Sequence, residues 1–70
     1  MSYRTNAIKS LRLKYEAEIL KAKTNIDVYL GSPVGIGEHP DIIGAIDSEL
    51  DKLAEADDRL GALQKYFDEN

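Results

Sequence analysis

One stretch decides the fold of this chain, Gly31-Ser32-Pro33-Val34-Gly35-Ile36-Gly37-Glu38-His39-Pro40-Asp41. It holds three of the five glycines and both of the prolines. Glycine weakens a helix and proline interrupts the interior of one, so helix is disfavoured here. The segments on either side are both typical of uninterrupted helix. The pattern therefore predicts an all-α fold, an antiparallel hairpin of two long helices in a single domain over residues 1–70.

The first helix is predicted over about residues 3–30. Ser2 or Thr5 can cap its first turn, and Gly31 is the residue type that usually follows a helix end. Its main apolar positions follow an eleven-residue rhythm on one side of the helix: Ile8, Leu11, Tyr15, Ile19, Ala22, Ile26 and Leu30. A second, thinner apolar stripe runs along the far side: Leu13, Ala17, Leu20 and Val28. Two apolar sides predict two neighbours, the hairpin partner and another subunit.

The second helix is predicted over residues 40–67, after a loop at 31–39. Proline suits the first helical position, which Pro40 would take with His39 as the cap, while Asp41 places negative charge at the positive helix end. The apolar stripe has a seven-residue rhythm that includes the polar Asp57 and Gln64. Its apolar members are Ile43, Ile46, Leu50, Leu53, Leu60 and Phe67.

Asp57 is a polar residue at a position typical of a core. It can lie at a wet edge of the helix contact, or it can fix register or pair with a base from the first helix. A catalytic or metal-binding role is the least favoured interpretation. The sequence does not choose between the first two.

Composition bounds the class of protein. A chain of 70 residues without cysteine has no disulfide to hold it together, and one contact between two helices buries little apolar surface. We therefore expect a homo-oligomer, most simply a dimer in which two hairpins form a four-helix bundle. The net charge of −4 disfavours direct binding to nucleic acid. We also expect no membrane span, no signal peptide and a cytoplasmic location.

Few residues suggest chemistry. Glu38, His39 and Asp41 are acceptable metal ligands, but their spacing matches no established motif and suits helix capping better. The glycines of Gly35-Ile36-Gly37 follow no strand, unlike those of phosphate-binding loops. We therefore expect no enzyme activity, no metal and no cofactor.

An acidic ridge marks the side of the second helix that lies opposite its apolar stripe: Asp47, Asp51, Glu55 and Asp58. It is typical of a solvated face. The alternative is a docking surface for a basic protein, in which case the chain would be an inhibitor that imitates nucleic acid.

The run Pro33–Asp41, followed by Ile46-Asp47 and Leu50-Asp51-Lys52-Leu53-Ala54, resembles short uncharacterised proteins of marine tailed phages, cyanophages included. The resemblance extends from about Asn25 to Leu63. It implies a phage setting, with action in a bacterial cytoplasm or inside a virion. That family has no assigned activity, so the resemblance supplies no functional residues. Together these features predict a non-enzymatic interaction or structural protein that associates with itself through apolar helix faces.

Overall fold

The computed structural model describes residues 2–31 and 41–67. Helix α1 spans Tyr3–Gly31 and helix α2 spans Ile42–Phe67, and the described residues contain no strand. The helices pack side by side and run in opposite directions, since Asn25 contacts Glu49 while Glu18, earlier in α1, shares a groove with Arg59, later in α2. The predicted all-α hairpin is confirmed.

Each helix begins at a polar cap. The Thr5 amide donates to Ser2 Oγ at 3.2 Å, so Ser2 caps α1. The Gly44 amide donates to Asp41 Oδ1 at 2.9 Å, which makes Asp41 the cap of α2. The predicted start of the second helix was Pro40, whereas α2 begins at Ile42, because the Asp41 carboxylate satisfies the amide that the first turn leaves free.

The predicted loop 31–39 and its His39 cap lie outside the described residues, apart from Gly31. Gly31 was predicted to follow the end of the first helix. Instead it is the last residue of α1, and none of the described glycines has a positive φ.

The seam between the helices repeats every seven residues on α1. Its less exposed side follows spacings of four and three: Ile8, Arg12, Tyr15, Ile19, Ala22, Ile26 and Tyr29. The predicted eleven-residue rhythm differs from this at Leu11 and Leu30, which are 39% and 65% exposed. Two helices that share one seam need a common repeat, so the seven-residue pattern of α2 determines which residues of α1 face it.

The seam on α2 has the same repeat and is rotated by one position from the predicted stripe. Its members are Ile42, Ile46, Glu49, Leu53, Ala56, Leu60 and Leu63. Three of the predicted positions, at Ile46, Leu53 and Leu60, belong to it.

Burial in the hairpin is sparse. Among the described residues only Ile8, Ala22 and Ala56 are classed as buried, and no large side chain is fully buried. Ala22 and Ala56 are each 2% exposed and line the floor of one groove, so the helices approach closely at mid-length. The small core leaves most large apolar side chains in contact with water.

Candidate interaction surface

The hairpin has two flanks, one on either side of the seam. The seam positions of each helix form pairs three residues apart, such as Ile19 and Ala22. The residue just before the first member of a pair lies on one flank, and the residue just after the second member lies on the other. The first flank thus contains Glu18 and Asn25 of α1 with Lys52 and Arg59 of α2. Residues after the second position, such as Leu50 and Asp57, lie on the other flank.

The first flank is an open groove of about 310 Å³. We call it the polar groove. Three acids and three bases line it above Ala22 and Ala56: Glu18, Glu49, Glu55, Lys21, Lys52 and Arg59. Because the charges balance, the groove offers no strong attraction to an ion of either sign.

Glu49 is the best-anchored side chain of the polar groove. Its Oε1 accepts a hydrogen bond from Asn25 Nδ2 at 2.9 Å, and its Oε2 accepts one from Lys52 Nζ at 2.9 Å. The Asn25 hydrogen bond, then the contact with Lys52 and the more distant charge of Lys21, hold the pKa of the Glu49 carboxyl below its usual value. Glu49 is therefore held as a carboxylate.

Ion pairs on this side of the hairpin stay within one helix. Lys14 Nζ lies 2.8 Å from Glu18 Oε2, and Arg59 pairs with Glu55 one turn earlier. Such exposed pairs contribute little to stability individually, but they neutralise the rim of the polar groove. The groove is thus a solvated surface on which all the charged residues except Lys21 have a partner within their own helix.

The second flank combines large apolar side chains with charged ones, and we call it the apolar flank after the former. Its apolar members are Leu13, Leu20 and Leu30 on α1 and Ile43, Leu50, Ala54 and Gly61 on α2, and its charged members are Lys9, Glu16, Lys23, Asp27, Asp47 and Asp57. Leu20 is 64% exposed and Leu50 is 48% exposed. No atom of residues 2–31 or 41–67 lies within 4 Å of where a Cβ atom at Gly61 would be, so Gly61 leaves an open gap.

The remaining predicted positions can now be placed. The four residues of the predicted second apolar stripe are all exposed, but they lie on three different faces. Leu13 and Leu20 lie on the apolar flank, Ala17 lies on the outer face of α1, and Val28 lies on the side of the polar groove. These four residues do not share one face, because the seam follows a seven-residue repeat and not the predicted eleven-residue rhythm. Phe67 is 51% exposed at the end of α2, and Asp57 is exposed beside the seam.

The acidic ridge is divided in the same way. Asp51 and Asp58 lie on the outer face of α2 and Asp47 on the apolar flank, whereas Glu55 lines the polar groove and pairs with Arg59. Three of the four acids make no ion pair within the part of the chain that the structure describes.

Sequence reasoning missed Asn25 and Glu49, the pair that joins the helices. Glu49 lies seven residues before Ala56 and Asn25 seven residues after Glu18, so both repeat groove positions. Both positions follow from the seven-residue repeat of the seam and not from the polarity of the side chains.

The described residues form neither a metal site nor a membrane span. No cluster of three potential metal ligands occurs among them, and neither helix has a stretch long and apolar enough to cross a bilayer. Comparison of the chain with protein-family models, with curated proteins and with solved structures found no match.

Proposed function

We propose that this chain is a non-enzymatic interaction protein that pairs with a second copy of itself to form a four-helix bundle. The bundle acts as a scaffold that presents rigid helical surfaces. The observation that carries the proposal is the apolar flank, on which four leucines and one isoleucine are exposed.

The exposed area supports the same proposal. The chain exposes 5513 Å², whereas a compact monomer of its mass exposes roughly 4,400 Å². The excess of roughly 1,100 Å² is comparable with the ~800 Å² that each partner buries in a standard interface.

Light scattering coupled to size exclusion, across a hundredfold range of concentration with helicity followed alongside, tests the proposal. We expect a dimer whose helicity falls on dilution, because association completes the core. Leu20→Asp and Leu50→Asp should break the dimer, since both side chains are exposed in the single hairpin. A well-folded monomer at every concentration would contradict the proposal.

Matched variants separate the apolar flank from the seam and from the outer charges. Ile19→Asp and Leu53→Asp place a charge in the seam, so hairpin and assembly should be lost together. Asp51→Lys, on the outer face of α2, should leave the assembly intact. Survival of the assembly in either seam variant would count against the bundle.

The alternative proposal is an acidic inhibitor that imitates nucleic acid and binds a basic protein through Asp47, Asp51, Glu55 and Asp58. It is supported by the three ridge acids without an ion pair among the described residues. A basic DNA-binding protein captured from bacterial lysate and released at moderate salt is the expected result. Retention of that protein after all four acids become Asn or Gln would contradict it.

The setting is a proposal as well. We propose action in the bacterial cytoplasm or inside a virion of a tailed phage. The support for it is the resemblance of the loop and the start of the second helix to phage proteins.

A further inference from the structure

We propose that the two copies pack through their apolar flanks with both loops at the same end, so that α1 of each copy faces α2 of the other. Leu13 and Leu20 of one copy then fit against Gly61 and Ala54 of the other. This arrangement rests on the proposed self-association and specifies its geometry.

Residues on the two helices can be compared by their height along the hairpin axis. The Asn25–Glu49 hydrogen bond sets one level of the antiparallel pair. Both helices rise about 1.5 Å per residue and run in opposite directions. A residue a given number of positions before Asn25 therefore lies at the same height as the residue the same number of positions after Glu49. Leu20 lies five residues before Asn25 and Ala54 five after Glu49; Leu13 lies twelve before and Gly61 twelve after.

Residue size along the apolar flank favours the arrangement. At two successive levels of the apolar flank, a large side chain on α1 is matched by a small residue on α2: Leu20 by Ala54, and Leu13 by Gly61. When α1 of one copy faces α2 of the other with the loops together, equal heights meet across the interface. Each leucine then enters the gap left by a small residue, whereas α1 facing α1 would oppose leucine to leucine.

Charge favours it as well. Helix α1 carries six bases and three acids, and α2 carries three bases and six acids, so the net charges are +3 and −3. Placing α1 against α2 of the second copy brings opposite charges together, and every neighbouring pair of helices in the bundle is antiparallel. Placing α2 against α2 would bring two acidic helices together.

Two like-charge contacts oppose the arrangement: Glu16 against Asp57, within one residue of the same level, and Asp27 against Asp47, which supplies a test. Asp27 lies two residues after Asn25 and Asp47 two before Glu49, so their carboxylates share a level on the apolar flank. In the proposed dimer each Asp27 faces Asp47 of the second copy. Asp47→Lys should therefore strengthen dimerisation severalfold at low salt, and added salt should reduce the gain.

The orientation is measured with spin labels, since the chain has no native cysteine. Gly31→Cys introduces a label at an exposed position, with no described residue within 4 Å of the new Cβ atom. Loops at the same end give a separation between labels below about 30 Å, and loops at opposite ends give more than about 40 Å, from the helix rise and the helix spacing. The longer distance in a stable dimer would overturn the arrangement and leave self-association standing.

The fit is tested by exchanging the large and the small residue. Gly61→Leu should weaken the dimer about tenfold or more, and Leu13→Ala combined with Gly61→Leu should restore much of the loss. Ala17→Leu, on the outer face of α1, is the control and should leave the dimer unchanged. A neutral Gly61→Leu, or no rescue by the double variant, would overturn the fit. A monomer in every experiment would overturn both the arrangement and the self-association beneath it.

Discussion

Asn25 of α1 and Glu49 of α2 form a hydrogen bond between the two helices, with Asn25 Nδ2 donating to Glu49 Oε1 at 2.9 Å. The Glu49 side chain is 12% exposed. If one helix slid along the other by seven residues, so that Asn25 lay beside Ile42, Glu49 would lie beside Glu18. The amide would lose its partner and two carboxylates would meet, so this pair fixes the register of the hairpin.

The first prediction concerns this pair. Asn25→Ala and Glu49→Ala should each lower the free energy of unfolding, because each leaves a partly buried polar group without its partner. The double variant should lose less than the sum of the two, since both single changes remove the same hydrogen bond. Urea denaturation of the four proteins at one fixed concentration measures the coupling. Strict additivity would mean that the pair does not hold the helices together.

The second prediction is a dependence of stability on pH. The pKa of Glu49 is lowered in the folded protein, chiefly by the Asn25 hydrogen bond, from an ordinary value of 4.5. The unfolded chain thus takes up the proton first as the pH falls, so the contribution to stability is complete above pH 4.5 and is lost below it.

Denaturation of the unaltered protein and of Glu49→Gln between pH 7 and pH 3 measures this contribution. The difference in stability between the two should be constant at neutral pH and shrink as the pH falls below the ordinary carboxyl range. Asp51 is an exposed acid on the outer face of α2, and Asp51→Asn is the control. Between pH 7 and pH 3 this variant should lose as much stability as the unaltered protein. A difference that grows towards pH 3 would have the wrong sign.

The hairpin itself could be predicted from the sequence, and the face of each helix that forms the seam could not. The glycines and prolines of residues 31–40 decide the two-helix architecture locally. The choice between Leu11 and Arg12, or between Leu50 and Glu49, depends on the repeat shared by two helices in contact. An arginine or glutamate with a long apolar stem can fill a seam position that side-chain polarity alone assigns to leucine. The apolar flank was predicted in part, through Leu13 and Leu20.

The third prediction concerns the helix caps. Asp41→Ala removes the acceptor for the Gly44 amide and should cost about 1 kcal/mol of stability. Ser2→Ala should cost a similar amount at the start of α1. Ser48→Ala, an exposed position inside α2, is the matched control and should be neutral or slightly stabilising. Equal stability of the Asp41 and Ser48 variants would show that Asp41 does not cap α2.

The last prediction concerns the close approach of the helices at mid-length. Ala22 and Ala56 are each 2% exposed, so a larger side chain at either position must push the helices apart. Ala22→Leu should cost about 1–3 kcal/mol of unfolding free energy through overpacking. Ala17→Leu adds the same atoms at an exposed position of the same helix, on its outer face, and should change stability little. Both are compared by urea denaturation at equal protein concentration, because association shifts apparent stability by mass action. An Ala22→Leu protein as stable as the Ala17→Leu protein would mean that α1 and α2 do not meet at these two alanines.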